Sequence, residues 1–415
     1  MSATEQKPKK SAFEEAVLGY KYVSPNLSGF EQLFLNAFWD KFVYVYPTWL
    51  APNLISVMGG SCCLIMYALS WYFSPEGLGS ANPQIMYLIF AGLMLTYQTL
   101  DGTDGKQARR TKSGSALGEL MDHGIDAVVT GFAAWTVADA LGFGIDRPIP
   151  WICLFGGQMA FYMSNLTLLH RGKQTFFPVD IMELQWVMII SLALTGIFGS
   201  KIWTETLVPV PEIVAPYTER IAHDIFGVRD KVPYGYIQAR FIVAFGASSG
   251  TVSNFLMYTF MSSTPYFTSN PPPHIVKKAP GTGLVELFKQ IVIILIYGAM
   301  CFGSRHFISQ IADPRIRHDA LRALLFGCCW AFGDLMDRLL VMRVTHIPLP
   351  FFNPTLMCMG VFTLGFASGI VSIPWWWPVA SVCLACHMSF FVWVSRKLAD
   401  VLGISVFTIK KVATE

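Results

Sequence analysis

The stretch DGTDGKQARRTKSGSALGELMDHGID, residues 101–126, decides how the chain is read. It carries four aspartates, Asp101, Asp104, Asp122 and Asp126, and four basic side chains, Lys106, Arg109, Arg110 and Lys112. Apolar runs of membrane-spanning length flank it on both sides. A carboxylate within a span costs ~2.5–3.5 kcal/mol, and like charges close by raise that cost. Acids gathered at a bilayer boundary therefore need a reason.

Composition supports the membrane setting. The 415 residues are 53% hydrophobic and only 14% charged, against roughly a quarter charged in soluble domains. The net charge of +3 and the lack of a basic aromatic patch exclude a nucleic-acid partner. The polar start MSATEQKPKKSAFEE has no apolar h-region, so the first span is expected to serve as the targeting signal. The nine cysteines are odd in number and mostly sit within apolar runs, which argues against a disulfide framework. Cys383-Leu-Ala-Cys386-His387 matches a haem-attachment spacing, but in the middle of a span such cysteines read as small hydrophobes.

The expected fold is all-α: a polytopic membrane protein with about ten transmembrane helices and an N-terminal interfacial amphipathic helix. A polar arm, 1–27, precedes the amphipathic segment 28–46. In that segment Phe30, Leu33, Phe34, Ala37, Phe38 and Phe42 share one face, and Gln32, Asn36 and Asp40 recur every fourth residue, as suits a helix lying in the headgroup plane. The spans are placed at 53–73, 84–101, 118–142, 150–170, 182–200, 238–260, 284–302, 319–342, 353–372 and 377–396, each near the length that a bilayer core requires. They divide into a catalytic bundle, 47–260, and C-terminal transmembrane helices, 261–396, with a cytosolic tail at 397–415. Lysine and arginine concentrate in the N-terminal arm (Lys7, Lys9, Lys10, Lys21), the turn after span two, and the tail (Arg396, Lys397, Lys410, Lys411). The positive-inside rule then puts the quoted stretch at the cytosolic surface. The basic stretches 201–237 and 303–318 run against that count.

Asp101 and Asp104 are spaced i, i+3, and Asp122 and Asp126 i, i+4, so each pair shares a helix face. A short basic turn, 109–117, would fold the two arms into an antiparallel hairpin with all four carboxylates facing one cavity. Hard divalent cations take oxygen ligands, and a pair of them suits phosphoryl chemistry. Gly102, Gly105, Ala108 and Gly118 leave the backbone open to a diphosphate and a flat base. Arg109 can offer a bidentate fork to a phosphate.

The full pattern DxxDGxxAR(x8)GxxxDxxxD, from Asp101 to Asp126, resembles the signature of the CDP-alcohol phosphotransferases, with every defining position present. YKY at 20–22, FWDKF at 38–42, YPTWLAPNLIS at 46–56, YQT at 97–99, DGKQARRT at 104–111 and LGELMDHGID at 117–126 are similar to the eukaryotic choline/ethanolamine phosphotransferase branch. The resemblance implies transfer of a phospho-alcohol from CDP-choline or CDP-ethanolamine to membrane-borne diacylglycerol, with release of CMP. It implies two Mg²⁺ or Mn²⁺ ions held by Asp101, Asp104, Asp122 and Asp126. It further implies a homodimer in the endoplasmic reticulum or Golgi, with its active site facing the cytosol. The general base stays open between Asp126, which cations would make weakly basic, and His123, which titrates near neutrality. Glu119 would either orient His123 or cap the helix start. Asn53, after Pro52, would either touch the nucleotide or cap its helix. Asp334 and Arg338 read as a self-neutralising i, i+4 pair, and Asp337 as a candidate wall of a headgroup cavity. The sequons at Asn26 and Asn165 are expected to be unused. Two other readings stand beside this one: an inositol-type phospholipid synthase and a divalent-cation transporter.

Overall fold

The computed structural model describes residues 10–20, 28–172, 181–220, 232–266, 282–348, 350–351, 353–368 and 376–409. Lys7, Lys9, Lys21, Asn26, Lys410 and Lys411 lie outside them. The fold is nearly all helical. A short helix, α1 (Ala12–Gly19), opens the described chain, and a π turn, Glu31–Leu35, leads into α2 (Asn36–Phe42). The long helices are α3 (Pro52–Phe73), α4 (Gln84–Arg110), α5 (Ala116–Ala140), α6 (Pro148–Arg171) and α7 (Ile181–Phe198). After the short α8 (Lys201–Thr204) and α9 (Ala215–Arg220) come α10 (Ala239–Ser263), α11 (Leu284–Ser309), α12 (Pro314–Thr345), α13 (Pro354–Ala367) and α14 (Trp376–Leu402). The departure from an all-α fold is a two-stranded antiparallel ladder, Leu207–Pro209 against Tyr236–Gln238, in the connection before α10.

Among the described residues six helices are long and apolar enough to cross a membrane: α3, α6, α7, α10, α11 and α14. A helix stands at each of the ten expected spans. Of the four others, α4, α5 and α12 carry acidic and basic side chains that dilute their apolar character, and α13 is apolar but short. Helix α4 extends beyond the apolar span 84–101, as the shared face of Asp101 and Asp104 requires, and ends at Arg110, just inside the expected turn 109–117. Asp104, Lys106, Arg109 and Arg110 are helical, so the turn is confined to the residues between Arg110 and Ala116.

Helices α5, α6 and α12 form the centre. Most of α5 and α6 is buried, and so is α12 around nearly its whole circumference. Small residues permit this closeness, as they do between helices in lipid. A Cβ built on Gly131 of α5 would come within 2.5 Å of Cys329 Sγ on α12, and one on Gly60 of α3 would run into the Ile125 side chain. All nine cysteines are free.

The segment before α3 docks by Leu35, Trp39 and Val43, and its polar residues bond to α4 alongside. Lys106 Nζ on α4 donates to Asn36 Oδ1 and Asp40 Oδ1, each at 2.6 Å. Trp39 is buried, whereas Leu33, Phe34 and Phe38 are exposed. The Trp39 ring lies over Gly102, where a built Cβ would sit 2.5 Å from Cε2. The smallness of Gly102 therefore serves this contact and not the approach of a substrate. Gly102→Ala should unseat the ring and cost ~1–3 kcal/mol, as overpacking does. A melting curve in detergent should show the loss, and an unchanged midpoint would mean that the ring is not held there.

Candidate active site

The hairpin brings three of the four aspartates together. One carboxylate oxygen each from Asp101, Asp122 and Asp126 lies within 4.8 Å of the others, and all three residues are partly accessible. Two turns of geometry produce this: Asp101 comes from α4, and Asp122 and Asp126 lie one turn apart on α5. Asp104, one turn beyond Asp101, is buried, and its Oδ2 accepts the hydroxyl of Ser56 on α3. A hard divalent cation takes several carboxylate oxygens at close range. The donor set and its spacing fit such an ion, because among the described residues these carboxylates hold no basic side chain in an ion pair other than His123.

Neighbouring hydroxyls fix the acids. Tyr97 of α4 donates its phenol hydrogen to Asp126 Oδ1 at 2.7 Å. Tyr46 and Thr103 share a hydrogen bond of 2.8 Å. The hairpin is tied to the chain before α3 by Gln107 Nε2, which donates to the carbonyls of Pro47 and Leu50 at 3.0 and 3.1 Å. Arg110 donates to those of Val43 and Tyr46 at 3.0 and 2.7 Å. The side chain of Arg109 is exposed and near Gly105. Gly105 and Gly118 have open space where a side chain would stand, with nothing nearer than 3.6 Å, and Ala108 lies between them on the same hairpin.

His123 sits on α5 beside Asp122, with Nε2 3.9 Å from Asp122 Oδ2. Its Nδ1 faces Asn165 Oδ1 of α6 at 2.9 Å, and its ring meets that of Phe161 edge-on. Glu119 takes neither of the two roles open to it from sequence. Its carboxylate is bound by Arg343 of α12 and by the hydroxyl of Tyr20, and the α5 start is capped by Ser115 Oγ, which accepts from Gly118 N at 3.2 Å. Asn53 is not a cap either. It is the second residue of α3, donates through Nδ2 to the Val406 carbonyl at 2.7 Å, and keeps Oδ1 beside Gly118.

The second acidic cluster lies apart from these groups. Arg338 grips Asp334 through two bonds of 2.9 and 3.0 Å and stacks on Phe390. Asp337 is fully buried, between Gly124 and the His387 ring. It lines no open cavity, because the close approach of α5 encloses it. His387, the histidine of the cysteine-rich spacing, is buried with Nδ1 3.3 Å from Asp337 Oδ2.

An apolar cavity of about 150 Å³ opens beside the acids, between α4, α5, α6, α7 and α10. Met94, Ala133, Val137 and Met188 line it, and so do Tyr97 and Phe161, the two rings that touch Asp126 and His123. Sequence reasoning missed Tyr97, Asn165 and Ser56. Only the YQT and YPTWLAPNLIS similarities pointed toward two of them, and no periodicity marks any.

Acids at helical spacing on a helical hairpin, next to an apolar chamber, make a site that suits a divalent cation beside an apolar ligand. Residues 49–212 match the model of the CDP-alcohol phosphatidyltransferase family. The chain is 34% identical over 396 residues to "Cholinephosphotransferase 1" of Mus musculus, covering 94% of this chain and 88% of the mouse protein. It is 25% identical over 411 residues to "Choline/ethanolaminephosphotransferase 1" of Arabidopsis thaliana, covering 94% and 96%. A shorter match, 37% over 191 residues, covers 46% of this chain and about half, 49%, of "Cholinephosphotransferase 1" of Danio rerio. The chain belongs to the CDP-alcohol phosphatidyltransferase family.

Two predictions follow from the site's geometry. Asp101→Asn, Asp104→Asn and Asp122→Asn should each lose at least ~10²-fold in kcat/KM while the protein still inserts and folds, because Asp101 and Asp122 each lose an oxygen anion from the cluster and Asp104 loses one a turn away from it. Near-normal turnover would move that residue out of the site. Tyr97→Phe, which removes only the hydrogen bond to Asp126, should cost ~10–100-fold in activity or metal affinity. A metal titration of turnover separates the two.

Proposed function

We propose that this chain transfers phosphocholine, phosphoethanolamine or both from the CDP-alcohol to diacylglycerol and releases CMP, making phosphatidylcholine or phosphatidylethanolamine. The observation that carries the reading is the convergence of Asp101, Asp122 and Asp126 in a chain whose long matches bear choline and ethanolamine phosphotransferase names. The apolar chamber supports a lipid acceptor, since it ends on the two rings that touch Asp126 and His123.

Asp101, Asp104, Asp122 and Asp126 would hold two ions, Mg²⁺ or Mn²⁺. Bound cations would offset phosphate charge and polarise the phosphoryl oxygens. The remaining roles belong to the chain. Gly105, Ala108 and Gly118 leave room for the diphosphate and base, Arg109 offers its fork to a phosphate, and Asn53 contacts the nucleotide through Oδ1. His123 Nε2 takes the proton of the diacylglycerol hydroxyl as that oxygen bonds to the phosphorus bearing the alcohol and the P–O bond to CMP breaks. Tyr97 already engages one oxygen of Asp126, which favours His123 over Asp126 as the base. Glu119 acts at a distance, by fastening the start of α5 to Arg343 and Tyr20.

In this reading the ten helices are ten spans, with the hairpin turn on the cytosolic side of the endoplasmic reticulum or Golgi. Segment 28–46 lies in the headgroup plane, its exposed Leu33, Phe34 and Phe38 in lipid. Residues 47–260 form the catalytic bundle, 261–396 support it, and 397–415 form the tail. A homodimer is proposed on the resemblance alone, and sizing in nanodiscs tests it.

Purified protein assayed with CDP-choline and CDP-ethanolamine side by side should release CMP only when diacylglycerol is present. EDTA should abolish the reaction, Mg²⁺ or Mn²⁺ should restore it, and Ca²⁺, larger and looser in geometry, should substitute poorly. Full turnover in excess chelator would refute the role given to the aspartates.

A further inference from the structure

Asn165 is completely buried on α6, where an amide is costly unless its hydrogen bonds are made. Its two bonds are unlike each other. Nδ2 donates to the Phe161 carbonyl, one turn back on the same helix, at 3.0 Å. That bond ties α6 to nothing else. Oδ1 faces His123 Nδ1 on α5 at 2.9 Å. The first bond sets which way the amide points: the NH₂ group must face the carbonyl, so the oxygen must face the imidazole. An oxygen acceptor at Nδ1 requires the proton of a neutral imidazole to sit on Nδ1. The lone pair is then on Nε2, the nitrogen 3.9 Å from Asp122. The Phe161 ring, also from α6, packs edge-on to the same imidazole and closes off rotation on that side.

We infer that Asn165 is the positioning residue of His123, selecting the tautomer whose free Nε2 faces the aspartate cluster. The inference rests on the assignment of His123 as the base. It also gives the Asn165-Leu-Thr167 sequon a use that has nothing to do with glycan, since Thr167 too is buried and bonded to Ser262.

The test uses the full-length protein in mixed micelles with CDP-choline, diacylglycerol and Mg²⁺. Asn165→Leu removes the acceptor at similar volume and should lower kcat ~10–100-fold, as the loss of an orienting partner does, with KM for CDP-choline unchanged. If that variant is not monodisperse, Asn165→Ala replaces it. Asn165→Asp keeps an oxygen at Nδ1 and should retain most of kcat, a rescue that a packing role would not give. The double variant His123→Ala/Asn165→Leu should be no slower than His123→Ala, because the two act as one unit. Wild-type kcat in Asn165→Leu, a failed rescue by Asp, or losses that multiply in the double variant would overturn the inference while leaving the base assignment intact. Wild-type turnover in His123→Ala would instead overturn the base assignment, and the inference with it.

Discussion

Mutual repulsion among carboxylates gathered on one hairpin is the constraint on which the rest of the molecule depends. Asp101, Asp122 and Asp126 are held close enough to share a ligand, and nothing in their own helices would keep them there. The surrounding structure supplies the restraint. Gln107 and Arg110 lash α4 to the chain before α3, Ser56 takes up Asp104, Tyr97 takes up Asp126, and Gly60 and Gly131 let α3 and α12 press on α5. A site so restrained is preorganised for cationic partners, because the electrostatic cost has been met in folding and not at the moment of binding.

The same arrangement separates two kinds of environment over a short distance. On one side are charged groups that a water-soluble donor can reach, with Arg109 exposed at the rim. On the other is a chamber walled almost wholly by apolar side chains. Tyr97 and Phe161 belong to both, since each presents a ring to the chamber and touches a polar member of the site with its edge or hydroxyl. An aromatic residue suits such a border because it carries an apolar body and a polar or electropositive rim.

What was legible in the sequence was whatever repeats locally. The i, i+3 and i, i+4 spacings placed Asp101, Asp104, Asp122 and Asp126 on their helix faces, and the apolar run lengths located a helix at each expected span. The i, i+4 pair Asp334–Arg338 was legible for the same reason. What was not legible depends on partners far apart in the chain. Glu119 finds Arg343, His123 finds Asn165, and Gly102 is small for the sake of Trp39. None of these pairs leaves a periodic trace. The turn was legible too, since the expected 109–117 differs from the observed end of α4 at Arg110 by two residues.

The bond between Glu119 and Arg343 has a consequence for how the chain is made. Glu119 opens the signature helix, whereas Arg343 lies in the last turn of α12. During synthesis the acid reaches the membrane long before its basic partner has left the ribosome. Tyr20, made earlier still, is the one member of the trio on hand to receive it. The start of α5 therefore waits for its basic partner until α12 has been made. A nascent chain cut short before α12 would hold every signature residue and still lack the ion pair that Arg343 makes with Glu119.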